Sequence, residues 1–240
     1  MTDIHGNAAA LEAVLTEIDK NEIDHIYCLG DMIGIGPDTN EVLHMLFSRM
    51  DLSMITGNHD EAILALAKGE EYPNNHPHVK VHHQWILNKM DPSFIPKLEQ
   101  LLRTINQTID GRSILFTHYQ FKKGKLHEHI SKNPFSSIVE PSLVNLESLF
   151  VDNNEDLICF GHHHPLHYFR GDKSIYLNPG SLGCNHKPTA PYAIVSVSNN
   201  EIEINLEEAP YDNTAFLDSY QKLKVPEREF ILRVFHGNQI

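Results

Sequence analysis

Leu52-Ser53-Met54-Ile55-Thr56-Gly57-Asn58-His59-Asp60 runs a short, largely apolar strand straight into four residues that carry chemistry. The pattern recurs along the chain. His25 to Leu29 ends on Gly30-Asp31, Ser113 to Thr117 ends on His118, and Leu157 to Phe160 ends on Gly161-His162-His163-His164-Pro165. Asp3-Ile4-His5-Gly6-Asn7 opens the chain with the same residue types, and Asn178-Pro179-Gly180-Ser181 is the last such cluster. Between them, Leu11, Val14, Leu15 and Ile18 repeat at helical spacing, which predicts an amphipathic helix from Asn7 to about Asn21. A second helix is expected from about Thr39 to Met50. Strands alternating with helices, each strand ending on a polar cluster, predict an α/β fold whose loops converge at the carboxyl ends of the strands.

Residues 60–103 read as helical, broken around Tyr72 to Pro77 and again at Pro92. The second half is richer in strand: Thr104 to Ile109 turns at Asp110-Gly111 into Ser113 to Thr117, and Tyr192 to Ser198 forms a hairpin with Glu201 to Leu206 across Asn199-Asn200. The tail from Tyr211 to Ile240 reads as one or two helices. These elements predict one domain over residues 1–210, with residues 211–240 as a helical extension packed on it.

At 240 residues and 41% hydrophobic, the chain can bury one large core. Nineteen basic against 32 acidic residues leave a formal charge of −13, which argues against general binding to nucleic acid or an anionic membrane. A phosphorylated substrate then requires local positive charge, and bound metal ions supply it. Cys28, Cys159 and Cys184 form no C-x-x-C pair, so neither a disulfide framework nor a thiolate zinc site is expected, and the reducing cytoplasm is the expected location. Apolar runs fall short of the ~18 residues of a membrane span, and Met1 is followed by Thr2-Asp3 rather than a basic, apolar leader.

The clusters combine carboxylate, imidazole and amide oxygen, a donor set suited to Mn, Fe, Zn, Co or Ni. Asp3 and His5, two residues apart beyond a strand end, can converge on one ion, and Asp31 is placed to bridge two. Two ions about 3.5–4 Å apart can activate a water and clamp a phosphoryl group for in-line displacement.

In this order, from Asp3 to Ser181, the six clusters resemble those of the calcineurin-like metallophosphoesterase superfamily. G-H-H-H-P followed by N-P-G-S-L-G is similar to its compact bacterial branch of phosphodiesterases and asymmetric diadenosine tetraphosphate hydrolases. The resemblance implies a four-layer β-sandwich flanked by helices. It implies one divalent ion held by Asp3, His5, Asp31 and His164 and a second held by Asp31, Asn58, His118 and His162, with manganese the first choice. His59 would approach the substrate as the catalytic residue, Asp60 would orient it, and a metal-bridging hydroxide would attack a phosphoester or phosphoanhydride. A nucleotide or dinucleoside polyphosphate ranks first among substrates. The alternative is a noncatalytic scaffold that binds proteins; such scaffolds tend to lose the catalytic His or several ligands, all of which this chain keeps. The C-terminal helices offer a surface for homo-oligomer formation.

Against this pattern, only Met1 and Thr2 precede Asp3, where relatives carry an apolar strand. Losing about three buried side chains at roughly 1.5–3 kcal/mol each removes ~5–9 kcal/mol. The expectation is a start further upstream, or an unstable chain that binds its first ion poorly.

Other residues read more plainly. Asp3, Asp31 and Asn58, taken singly, suit turns and caps. His163 is expected to point away from the ligands beside it, and His76, His78, His82 and His83 lack an acidic or Cys partner for a separate metal site. Asn178 to Ser181 is expected to turn the chain beside the site, and Ser181 is not in a nucleophile elbow. Lys122, Lys123 and Lys125 form either a solvated turn or a contact for a distal phosphate.

Overall fold

Ile26–Cys28 (β1) pairs in parallel with Leu52–Met54 (β2), Ile26 opposite Leu52. Alternation along β1 sends Ile26 and Cys28 to one buried cluster and Tyr27 and Leu29 to another. The first cluster takes Leu11, Val14 and Leu15 of Ala8–Ile18 (α1) and Val42, Leu43 and Leu46 of Thr39–Phe47 (α2). Asn7 caps α1, its Oδ1 accepting from Ala10 N at 3.0 Å, so the helix starts on the last residue of the first polar cluster. The computed structural model describes residues 1–73 and 77–239, without the side chains at 77 and 78. His76, the side chain of His78, the middle of the Tyr72–Pro77 break and Ile240 therefore lie outside the described residues.

Asn58–Lys68 (α3) begins inside the quoted cluster, and Pro77–Leu87 (α4) follows it. A 3-10 turn at Pro92–Phe94 leads into Ile95–Leu98 (α5), where the helical region ends. Thr104–Ile109 (β3), Arg112–Thr117 (β4), Leu157–Cys159 (β5), His167–Arg170 (β6) and Ile175–Asn178 (β7) form a five-stranded sheet in the order β3-β4-β5-β7-β6. The β4–β5 and β5–β7 pairs are parallel, so these strands deliver their C-terminal ends to one edge. Leu143–Leu149 (α6) packs on the outer face of this sheet through Leu146, against Leu115, Ile158 and Phe160.

Thr189–Ser198 (β8) and Glu201–Pro210 (β9) make the expected hairpin. It runs longer than the apolar pattern predicts, because Pro191 and Pro210 sit inside paired strands despite lacking an N–H. One face of the hairpin, with Ala190, Tyr192 and Ala209, packs on the α1 side; the other, with Ala193, Val195 and Ile204, meets Ile114, Phe116, Leu157 and Leu177 of the five-stranded sheet. Helices, the β1–β2 and β8–β9 strands, the five-stranded sheet, and α6 thus stack as four layers. Thr214–Lys222 (α7) and Arg228–His236 (α8) close the chain, with Phe216, Leu217, Tyr220 and Ile231 packed around Ile35 and Cys184.

Met1 to Asp3 run between two segments. Leu29 N donates to Met1 O at 3.0 Å and Asp3 N to Gly30 O at 3.1 Å, while Leu182 N donates to Thr2 O and Gly183 N to Asp3 O, both at 3.0 Å. Beside Met1, between the two β layers, lies an apolar slot of about 360 Å³ lined by Tyr27, Ile114, Phe116, Leu157, Leu177 and Val195.

Candidate metal centre

Four of the residues proposed as ligands have backbones in the left-handed region: Asp3 at φ 53°, His5 at 50°, Asp31 at 49° and His162 at 68°. Asp and His tolerate this region better than bulky residues, and such strain collects where a loop must aim a side chain. Each lies at or near the C-terminal end of its strand or strand-like segment.

The loops bring all seven proposed ligands together. His5 Nδ1 lies 3.3 Å from Ile33 O and His118 Nδ1 lies 2.7 Å from Leu29 O. Donation from those nitrogens leaves Nε2 of each ring as a lone pair aimed inward. His5 Nε2 faces His164 Nε2 at 3.1 Å and Asp3 Oδ1 at 3.6 Å. Asp31 Oδ2 is 3.8 Å from His5 Nε2 and 3.2 Å from His118 Nε2. On the far side, Asn58 Oδ1 is 3.0 Å from His118 Nε2 and 2.6 Å from His162 Nδ1.

Asp3 Oδ1 is buried with no hydrogen-bond partner. An orphaned carboxylate oxygen facing two imidazole nitrogens is a costly arrangement unless a cation joins it, and the oxygen and nitrogen donors fit a divalent ion. Without one, the histidines divide the burden. Burial opposes charge on His118, but the Asp31 and Asp3 carboxylates outweigh it and hold His118 up at about 10. Burial pushes His162 and His164 down to about 4, with the neighbouring His118 and His5 adding to the effect. Those rings are neutral and ready to coordinate. Cys184 also approaches His5 and His164 closely enough to count among their donor neighbours, a position that its lone place in the sequence did not signal.

His59 sits at the N-terminus of α3, its backbone N–H donating to Asp31 Oδ1 at 2.8 Å. Burial pushes its imidazole down to about 3. The ring's partner is not Asp60, the residue that the family resemblance implies. Asp60 is fully buried, and its carboxylate accepts from the backbone of Gly57 at 2.9 Å, Met32 at 3.1 Å and Ile33 at 3.2 Å. It ties the loop after β1 to the start of α3. His59 Nδ1 instead meets His83 Nε2 at 2.8 Å. Gly34, at φ 119°, lies flat against the His59 ring: a Cβ there would sit 2.5 Å from His59 Cβ and 2.7 Å from Nδ1. Gly34→Ala is therefore expected to displace the ring and lower turnover by about 100-fold, while leaving circular dichroism native; unchanged turnover would refute the close packing.

His163 turns away to His167, Nδ1 to Nε2 at 2.9 Å. Asn178 and Ser181 brace backbone, Ser181 Oγ donating to Asp3 O at 2.8 Å and Asn178 Oδ1 accepting from Gly180 N at 2.9 Å. His82 stacks on Trp85. Lys122 donates to Asn133 O at 2.8 Å, and Lys123 and Lys125 pair with Asp152 and Glu128 at 3.5 and 3.0 Å. Each lysine has a local partner, acidic for Lys123 and Lys125 and a carbonyl for Lys122. Replacing all three with Ala is expected to leave the ratio of Michaelis constants for a dinucleoside polyphosphate and an aryl phosphate within about twofold, as exposed pairs contribute little; a selective rise for the polyphosphate would restore the lysines to the site.

Among the described residues, no helix is long and apolar enough to cross a membrane. The profile of the calcineurin-like phosphoesterase superfamily domain matches residues 1–200. An uncharacterized protein of Methanocaldococcus jannaschii is 27% identical over 242 residues, 95% of this chain and 93% of that one. A symmetrical bis(5'-nucleosyl)-tetraphosphatase of Paracidovorax citrulli is 39% identical over 74 residues, 30% of this chain and 26% of its own. In three dimensions the fold is similar to a metallophosphoesterase from Sphaerobacter thermophilus, with TM-score 0.73, 21% identity and coverage of 99% and 98%. It is also similar to a hypothetical protein of Pyrococcus horikoshii OT3, with TM-score 0.77, 21% identity and coverage of 99% and 96%.

Proposed function

The chain belongs to the calcineurin-like phosphoesterase superfamily, and from that premise we propose that it cleaves a phosphoester or phosphoanhydride of a nucleotide with two divalent ions. One observation carries this reading: the buried Asp31 Oδ2 stands between His5 Nε2 and His118 Nε2, at 3.8 and 3.2 Å. A carboxylate so placed is shared by two donor groups, Asp3, His5 and His164 on one side and Asn58, His118 and His162 on the other. Two bound ions would supply Lewis-acid charge at the phosphoryl oxygens and lower the pKa of water. Manganese is the first choice, with iron, zinc, cobalt and nickel suited to the same donors.

This chain's own residues supply the rest. His59, neutral and fixed by Gly34 and its backbone bond to Asp31, presents its Nε2 to the leaving oxygen. His5 and His118 are oriented by the carbonyls of Ile33 and Leu29. The local similarity to the P. citrulli tetraphosphatase supports a dinucleoside polyphosphate as substrate. Three buried free cysteines suit a reducing cytoplasm. Exposed Phe230 and Val234 on α8 offer a face for self-association.

Manganese-dependent hydrolysis of an aryl phosphomonoester, an aryl phosphodiester and diadenosine tetraphosphate tests the proposal. Turnover that His59→Ala abolishes supports it. Absence of turnover on all three with ions bound would favour the scaffold reading instead.

A further inference from the structure

Behind His59 runs a buried chain of polar groups that the hydrolase reading does not use. His83 Nε2 lies 2.8 Å from His59 Nδ1, and His83 Nδ1 lies 2.9 Å from the Tyr72 hydroxyl. His83 is 2% and Tyr72 8% exposed. The two residues come from α4 and from the segment before it, so the chain spans from α3 to the far side of the break. Each bond needs one donor and one acceptor, so a single proton lies between His59 Nδ1 and His83 Nε2 and another between His83 Nδ1 and the Tyr72 oxygen.

Only two proton arrangements satisfy both bonds. In one, Tyr72 O–H donates to His83 Nδ1, His83 Nε2–H donates to His59 Nδ1, and His59 keeps its proton on Nε2. In the other every bond reverses, and the Tyr72 hydroxyl hydrogen then needs an acceptor other than His83. Among the described residues the hydroxyl bonds to His83 alone, and a buried hydroxyl hydrogen without an acceptor is costly. The first arrangement wins.

Resting on the hydrolase reading above, we infer that His83, itself fixed by Tyr72, is a positioning residue that locks His59 in the tautomer with Nε2–H facing the leaving oxygen. A neutral donor at that atom stabilises negative charge as it develops on the departing group. The stabilisation matters most where the leaving group is basic. An alkyl or ribose oxygen depends on it; a nitrophenolate, already stable as an anion, hardly does.

The tautomer is read directly by 15N NMR of the full chain. A coupling between His59 Nδ1 and His83 Nε2 across the hydrogen bond, with the proton on His83, is expected in the wild type and lost in His83→Ala. Kinetics supply the functional arm. His83→Ala should lower kcat on an alkyl phosphodiester on the order of 10²-fold but on a nitrophenyl ester only a few-fold, and Tyr72→Phe should act in the same direction. His83→Gln, which retains a donor near the Nε2 position, should recover part of the loss. Equal losses on both esters, or a proton found on His59 Nδ1, would overturn the inference. Wild-type protein inactive on both esters and on diadenosine tetraphosphate would sink the hydrolase reading, and the NMR result would still decide whether His83 positions His59.

Discussion

Asp31→Asn is expected to lower turnover by about 10³-fold or more, the scale of removing one preorganised electrostatic group from an active site, and to reduce the ion content of the protein. The substitution keeps the shape of the side chain and removes its charge. Asp31 is 2% exposed, and its two oxygens serve different tasks. Oδ1 accepts the backbone N–H of His59, a bond that an amide oxygen can keep, while Oδ2 faces His5 and His118. Without the carboxylate, His118 loses the main influence that holds its proton, and the two donor groups lose the residue they share. The fold-side bond survives, but the ion-free variant loses the buried pair between Asp31 and His118 and should melt below wild type. Wild-type turnover in the variant, or ion content unchanged by mass spectrometry, would remove Asp31 from the bridging position.

The second large effect concerns stability. The slot of about 360 Å³ beside Met1 is walled by apolar side chains from both β layers, and unfilled apolar volume weakens a core. Four alternating Ile and Val residues placed ahead of Met1 should extend the strand-like run of Met1 to Asp3 into this slot. Burying two or three of their side chains is worth roughly 3–9 kcal/mol, which raises Tm by ~10 °C or more in a chain of this size. A Gly-Ser extension of equal length is the control and should leave Tm where it is. An apolar extension that melts no higher than the control would show that the slot does not accept a strand. Since Asp3 follows directly, a firmer strand should also tighten binding of an ion at Asp3, His5 and His164.

Sequence carried the clusters and their order well, because the ligand residues lie at loop positions set by short apolar runs. The runs themselves were legible: β1, β2, β4 and β5 all appear where apolar residues precede a polar cluster. β6, β7 and α6 were not, because their apolar residues keep no period that distinguishes them from loop. The contacts of His59 were hidden for a different reason. The family resemblance implies that Asp60 orients the ring, but α3 sends the two side chains to different neighbours: Asp60 back onto the backbone of Gly57, Met32 and Ile33, His59 toward α4. His83 arrives from 24 residues away, and a His-His pair on a helix carries no mark of which loop it will face. The left-handed backbones of Asp3, His5, Asp31 and His162 were equally invisible, being set by the loops rather than by residue type.

The central claim is that one chain holds two ions on a shared carboxylate. Anomalous diffraction from crystals loaded with manganese tests it most directly. Two peaks per chain are predicted, one among Asp3, His5, Asp31 and His164 and the other among Asp31, Asn58, His118 and His162. A single peak, or two peaks that do not share Asp31, would contradict the account.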